Sequence, residues 1–209
     1  MDQNQFTKVL NNVQDWKTTE LEIRYTKITP DFLRNVVEDI NKNYTFSQSI
    51  TFIKNKGDGN AYLVNKINFE GNTKTHENYV KRDLGYYFDG TKKIALSSEI
   101  PTDQEIDISN IKDVVVRYKY RMTYTVPGLP WVYDATLVHA FKNVENPTVC
   151  TTVKNQLYTA TPSKEHFLKL IDNKLINKYE LEIEYKPSAS KNEKISGPDD
   201  INIKELELK

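Results

Sequence analysis

Glu20-Leu-Glu-Ile-Arg-Tyr25 and Glu180-Leu-Glu-Ile-Glu-Tyr185 repeat one pattern near opposite ends of the chain: charged and apolar residues in strict alternation, closed by a tyrosine. Side chains on a strand point to opposite faces with a period of two. Glu20, Glu22 and Arg24 therefore share one face, with Leu21, Ile23 and Tyr25 on the other, and Glu180, Glu182 and Glu184 likewise face one way. The apolar set is the one that packs, so the carboxylates project either into water or into a polar cavity.

Three segments between them alternate in the same manner. Residues 113 to 125 place Val114, Val116, Tyr118, Tyr120, Met122 and Tyr124 on one face and Val115, Arg117, Lys119, Arg121 and Thr123 on the other. In 131 to 138, Asp134 and Thr136 lie opposite Tyr133, Ala135 and Leu137; in 92 to 99, Lys93, Ser97 and Glu99 lie opposite Ile94 and Leu96. Any one such strand reads most simply as half exposed, its charges solvated. Two acidic strands, one basic strand and two mixed ones, all with bulky apolar backs, favour a closed barrel filled with polar groups.

The 209 residues suffice for one main domain. Lys plus Arg equals Asp plus Glu at 29 each, so no global field gathers a polyanion; duplex DNA is excluded as a bulk partner and phosphate recognition must be local. The single cysteine, Cys150, rules out an internal disulfide and a multi-cysteine metal site, and fits a reducing compartment. No apolar run approaches the ~20 residues of a membrane span and no signal peptide opens the chain, which predicts a soluble, intracellular, cytoplasmic protein with no membrane partner.

Phe6, Val9, Leu10, Val13 and Trp16 recur at helical spacing. Thr29 and Pro30 read as N-cap and first helical residue of a second helix, and Thr161 and Pro162 as those of a third carrying Phe167, Leu168, Ile171, Leu175 and Ile176. Strands are expected near 49 to 54, 61 to 70, 78 to 88, 92 to 99, 113 to 125, 131 to 142 and 149 to 158, joined by short Gly, Pro, Asn and Asp turns that imply antiparallel neighbours. The barrel domain is expected over 1 to 186. Residues 187 to 209 read as a linker-like tail, ending in a stray strand or leading into a further domain.

Carboxylates two apart on a strand lie about 7 Å from each other and cannot all stay ionised in a confined space without a cation or basic partners. Oxygen-only ligation suits Mg²⁺ or Mn²⁺. Lysines and arginines on a facing strand neutralise phosphate oxygens. Together these are parts for metal-assisted hydrolysis of a phosphoanhydride.

With those motifs in order, the sequence resembles the triphosphate tunnel metalloenzymes, and within them the RNA triphosphatases of fungal, poxviral and giant-virus (mimivirus-like) mRNA capping systems. Glu20-Leu-Glu-Ile-Arg24 and Glu180-Leu-Glu-Ile-Glu184 match the family's two metal-binding strands, Arg117-Tyr-Lys-Tyr-Arg121 its basic strand and Asp134-Ala-Thr136 the strand that follows. The resemblance spans residues 18 to 186. It implies a mainly β (α+β) fold, an eight-stranded antiparallel tunnel flanked by a few helices, which removes the γ-phosphate from 5′-triphosphate RNA in capping, with nucleoside triphosphates as a further expected substrate. Carried over by motif, Glu20, Glu22 and Glu184 hold Mg²⁺ or Mn²⁺ directly and Glu182 through a water; Glu180 and Glu99 position or activate the attacking water. Lys119, Arg121 and Arg117 bind phosphate, Asp134 orients them, and Lys93 joins the substrate contacts. One of Lys81 and Arg82 adds a further contact, with Arg82 expected to face inward. Arg24 stands where the tripolyphosphatase branch carries Lys, which favours the capping branch; Val132 stands where fungal members carry a base, which implies fewer phosphate contacts on that strand. His76, His139 and His166 match no motif. The resemblance also implies covalently linked guanylyltransferase and methyltransferase domains as partners. An inorganic tripolyphosphatase of the same fold, or a non-catalytic anion-binding barrel, are the alternatives.

Overall fold

Every alternating segment discussed above becomes a strand of one antiparallel sheet that closes on itself. The computed structural model describes residues 1–57, 59–88, 90–107, 113–142 and 155–186. In chain order the elements are α1 (Gln3–Asn11), β1 (Thr19–Tyr25), α2 (Pro30–Asp39), β2 (Tyr44–Asn55), β3 (Ala61–Glu70), β4 (Thr73–Phe88), β5 (Lys92–Pro101), β6 (Val114–Thr125), β7 (Trp131–Lys142), α3 (Lys164–Leu170) and β8 (Lys178–Tyr185). Around the barrel the strands run β1-β5-β4-β3-β2-β6-β7-β8, and β8 returns to β1. The expected closed eight-stranded antiparallel β-barrel is the observed fold.

The barrel is apolar outside and polar inside. Leu21 and Ile23 of β1, Ile94 and Leu96 of β5 and Ile183 and Tyr185 of β8 point outward, where Phe6 and Leu10 of α1 cover them. Val114, Val116, Tyr118, Tyr120 and Met122 of β6, with Ala135, Leu137 and Leu181, form a second outer face under Leu33 and Val37 of α2 and Phe167 and Leu170 of α3. Each large side chain buried this way contributes about 1.5–3 kcal/mol. The helices thus make it affordable for the charged rows to turn into the lumen.

Helix starts follow their caps. Asp2 accepts from the Gln5 amide and Gln5 bonds back to Asp2, a reciprocal box that starts α1 earlier than the apolar pattern alone implied, and the helix stops at Asn11, short of Val13 and Trp16. Thr29 caps α2 with Pro30 at its first position, as expected. The third helix is corrected: Ser163, not Thr161, accepts from the His166 amide and caps α3, which ends at Leu170 and leaves Leu175 and Ile176 beyond it. Of the strand expected at 149 to 158, residues 149 to 154 (Cys150 among them) lie outside the described residues, and 155 to 157 are helical. The tail 187 to 209 also lies outside them. Among the described residues no helix is long and apolar enough to cross a membrane.

The stretch after that turn is tied to the barrel by one amide. Gln48 Nε2 donates to the Thr159 carbonyl at 2.7 Å, while its Oε1 accepts from the Thr159 amide at 3.1 Å and lies 2.8 Å from the Tyr118 hydroxyl, all on the buried outer face. Replacing Gln48 by Ala strands the Thr159 backbone pair, so the variant is expected to lose about 1–3 kcal/mol of stability. The readout is a lower urea midpoint at unchanged m value.

Candidate active site

The two acidic strands are neighbours. β1 and β8 pair antiparallel, with Glu22 opposite Glu184 and Arg24 opposite Glu182. β7 lies on the other side of β8, with Asp134 opposite Glu182 and Thr136 opposite Glu180, and β6 follows, with Thr123 opposite Asp134 and Arg121 opposite Thr136. Cross-strand partners share a face, so the register sends Glu20, Glu22, Arg24, Glu180, Glu182, Glu184, Asp134, Thr136, Arg117, Lys119 and Arg121 into one lumen. Glu180 is 1 % exposed, Asp134 2 % and Glu182 4 %.

Within that lumen the acids and bases interlock. Arg117 Nη2 donates to Glu180 at 2.5 Å; Lys178 lies 2.7 Å and Lys119 3.6 Å from the same carboxylate. Arg121 bridges Asp134 at 3.0 Å and Glu182 at 3.7 Å, and Thr123 donates to Asp134 at 2.6 Å. Arg24 holds Glu182 at 2.6 Å and Glu22 at 2.9 Å. Asp134 thus contacts one member of the basic row, Arg121, and the neighbouring Thr123.

On the other side of β1 from β8, β5 pairs with it and brings Ser97 opposite Glu20; its hydroxyl donates to that carboxylate at 3.2 Å. Lys81 of β4 stands opposite Glu99 and pairs with it at 3.0 Å and with Glu20. This corrects the expectation for Arg82. Arg82 stands opposite Ala61 and Ser98, on the outward parity of β5, and is exposed, so Lys81 is the inward base. Lys93 faces the lumen side at the end of the row, with its ammonium 4.7 Å from the centre of the Tyr86 ring rather than among the glutamates.

Two site residues escaped the sequence reading. Lys178 and Lys186, which pairs with Glu184, extend the β8 row on the same parity, so the full pattern is Lys178-x-Glu180-x-Glu182-x-Glu184-x-Lys186. Extending the alternation by two positions at each end would have found both.

The electrostatics divide the carboxylates into two groups. Burial pushes Glu20 upward, but the Lys81 ammonium outweighs it and holds the group down at about 2; Glu180 is likewise held well below the carboxylate range by Lys119 and Arg117 against its burial. Glu22 goes the other way: burial, with the charges of Glu182 and Glu20 added against Arg24, pushes it up to about 7. Burial and Glu20 also raise Glu99 and Glu184. Lys119 is drawn down to about 8 by burial, with Arg117 and Arg121 beside it and Glu180 opposing.

Glu20, Glu22, Glu182 and Glu184 fit a hard divalent cation in kind: all are oxygen donors, and Glu22 and Glu184 face each other across β1 and β8, where like charges repel. In the structure each turns to a lysine or arginine, and among the described residues no three acidic, histidine or cysteine groups converge as a ready-made cage. The repulsion is measurable on its own. Glu22→Gln removes a charge from the crowd and is expected to raise the metal-free melting temperature at pH 8 by a few degrees, on the order of 1 kcal/mol, whereas Asp134→Ala takes from Arg121 its nearer partner, leaving Glu182 at 3.7 Å, and lowers it.

By sequence, the chain matches no known family pattern and no characterised protein. By structure it is similar to the RNA triphosphatase domain of a trifunctional mimivirus mRNA capping enzyme, with a TM-score of 0.56 and 13% identity over 87% of each chain. It is also similar to the S. pombe Pct1 RNA triphosphatase, with a TM-score of 0.50 and 14% identity over 89% of this chain and 77% of that one. The same protein in complex with the Spt5 CTD gives a TM-score of 0.50 and 14% identity, over 88% and 77%. The chain has the closed eight-stranded antiparallel barrel fold of these RNA triphosphatases.

Proposed function

We propose that this barrel is a metal-dependent polynucleotide 5′-phosphatase that removes the γ-phosphate of 5′-triphosphate RNA as the first step of mRNA capping, and that nucleoside triphosphates enter the same lumen. The observation that carries it is a half-buried basic row, Arg117, Lys119 and Arg121, sharing one closed lumen with two acidic strands. Likeness of fold to the RNA triphosphatases supports the reading.

Arg117, Lys119 and Arg121 bind the phosphate oxygens, and Lys81 adds a base from the opposite wall. Glu180 and Asp134 hold the basic row extended and aimed, since each is bonded to it already. Water attacks the γ-phosphorus, the bond to the bridging oxygen breaks, and diphosphate-ended RNA and phosphate leave. Glu99, with its raised carboxyl, is placed to take the water's proton; Glu180, with its carboxyl held low by three bases, is better suited to positioning than to proton transfer. Mg²⁺ or Mn²⁺ held by Glu20, Glu22, Glu182 and Glu184 would supply charge neutralisation and Lewis-acid polarisation of the γ-phosphate. Linked guanylyltransferase and methyltransferase domains are the expected partners, and the structurally similar mimivirus capping enzyme is trifunctional.

The direct test is phosphate release from γ-labelled triphosphate RNA and from tripolyphosphate, with and without Mg²⁺ or Mn²⁺. Metal-dependent release that drops at least about a hundredfold in folded Glu20→Ala and Arg121→Ala proteins is expected, the scale of several kcal/mol of lost transition-state stabilisation. No release by the parent under any metal would sink the proposal, and faster turnover of tripolyphosphate than of RNA would reassign the substrate.

A pH profile adds an independent check. A lysine with its pKa at about 8 is charged below that pH and neutral above it. Phosphate capture by Lys119 is therefore lost as pH rises, and kcat/KM is expected to fall about tenfold per unit beyond pH 8. Lys119→Arg keeps its charge and is expected to remove that alkaline limb.

A further inference from the structure

Strand β4 changes face part-way along. Up to its bulge, Tyr79, Lys81 and Asp83 stand opposite Pro101, Glu99 and Ser97, the lumen parity of β5. The irregularity between Asp83 and Gly85 inserts one residue, so that beyond it Tyr86 and Phe88 stand opposite Ala95 and Lys93, and the even-numbered residues now face the lumen. The neighbours agree: a Cβ on Gly85 would point at Met1 on the outside, and Tyr87 packs in the outer cluster under α1. The insertion thus delivers two aromatic rings, 51 % and 52 % exposed, to the rim of the tunnel.

The charge of the lumen rises toward that same rim. Along β1 the inward row reads Glu20, Glu22, Arg24; along β5 it reads Glu99, Ser97, Ala95, Lys93; along β8 it reads Glu184, Glu182, Glu180, Lys178. Each of these neighbouring rows begins with an acid and ends with a base at the Phe88 end. The opposite end carries Glu20, Glu99, Glu184 and Asp134, four acids against Lys81, which pairs with Glu20 and Glu99, and Lys186 just past the end of β8. A polyanion is drawn in at the basic end. There the Lys93 ammonium lies over Tyr86, Lys93 stands opposite Arg24, and Arg24 bonds Glu182, so the aromatic rim is continuous with the acid and base cluster.

We propose that Tyr86 and Phe88 form a stacking platform for the first bases of single-stranded RNA whose 5′ triphosphate occupies the lumen, with Lys93 beside them on the phosphate nearest the ribose. The proposal rests on the triphosphatase reading above and deepens it: this rim is what distinguishes a polynucleotide end from inorganic tripolyphosphate, which reaches the bases of the lumen and has nothing to stack. Aromatic stacking tolerates any base, which suits a site that must accept transcripts of varied first sequence.

The test uses 5′-triphosphate RNA with 2-aminopurine as its first base, mixed with the full chain in EDTA. Quenching of its fluorescence on binding is expected in the parent and in Tyr86→Phe, and its loss in Tyr86→Leu/Phe88→Leu, a pair that keeps the apolar bulk and removes the rings. With metal added, the ratio of KM for RNA to KM for tripolyphosphate is expected to rise about tenfold in the leucine pair. Absence of quenching in the parent, or an equal change in both KM values, would overturn the platform. A parent that quenches but hydrolyses neither substrate would instead defeat the triphosphatase reading and leave the stacking assignment standing.

Discussion

Charges that point into a closed barrel have to be balanced inside it. Glu180, Glu182, Asp134 and Glu22 are all buried, and an isolated carboxylate in such surroundings would give up its charge. The structure resolves this by interdigitation: Arg24 between Glu22 and Glu182, Arg121 between Asp134 and Glu182, and Lys81 between Glu20 and Glu99. Because a strand that sends its charges inward must send its apolar residues outward, the same requirement dictates the helices that cover it. α1 covers β1, β5 and β8, while α2 and α3 cover β6 and β7. Site and fold are therefore consequences of one alternation, and the side chains that form the lumen are held by the residues that pack beneath the helices.

The balance is not uniform, and its inequality is where chemistry becomes available. Glu20 and Glu180 are saturated with basic partners and stay ionised, so they act as fixed anions that hold Lys81, Arg117 and Lys119 in place. Glu22, Glu99 and Glu184 are pushed upward by burial, with acidic neighbours adding to it and their bases only partly opposing. Under the proposed function, a lumen with excess acid near β1 and β8 and a basic row on β6 would bind a cation and a polyphosphate together more easily than either alone, because each would neutralise the charge that opposes the other.

Much of this was legible because strong alternation encodes both strand and face. Residues 61 to 70 and 131 to 142 were expected as strands and are β3 and β7, and the faces assigned along β1, β6, β7 and β8 are those observed. Legibility failed where the local signal was degenerate. Thr161 and Ser163 are both good cap residues, and only the amide of His166 decides between them. Lys81 and Arg82 are adjacent bases on a strand with little apolar alternation, so neither parity announces itself; the choice is made by partners distant in sequence, Glu20 and Glu99 for Lys81.

The bulge in β4 marks the limit of period-two reasoning most clearly. Carried uninterrupted from Lys81, the alternation would put Gly85 and Tyr87 in the lumen and leave Tyr86 and Phe88 outside. One inserted residue exchanges them, so that Tyr87 joins the apolar cluster beneath α1 while the half-exposed rings stand at the basic rim. The exchange satisfies two constraints at once: the outer surface beside α1 gains an aromatic that packs, and the tunnel mouth gains aromatics that do not. A strict strand would give the lumen one ring of the run Gly85-Tyr-Tyr-Phe88 and the outside two; the inserted residue gives the lumen side two and the outer cluster one.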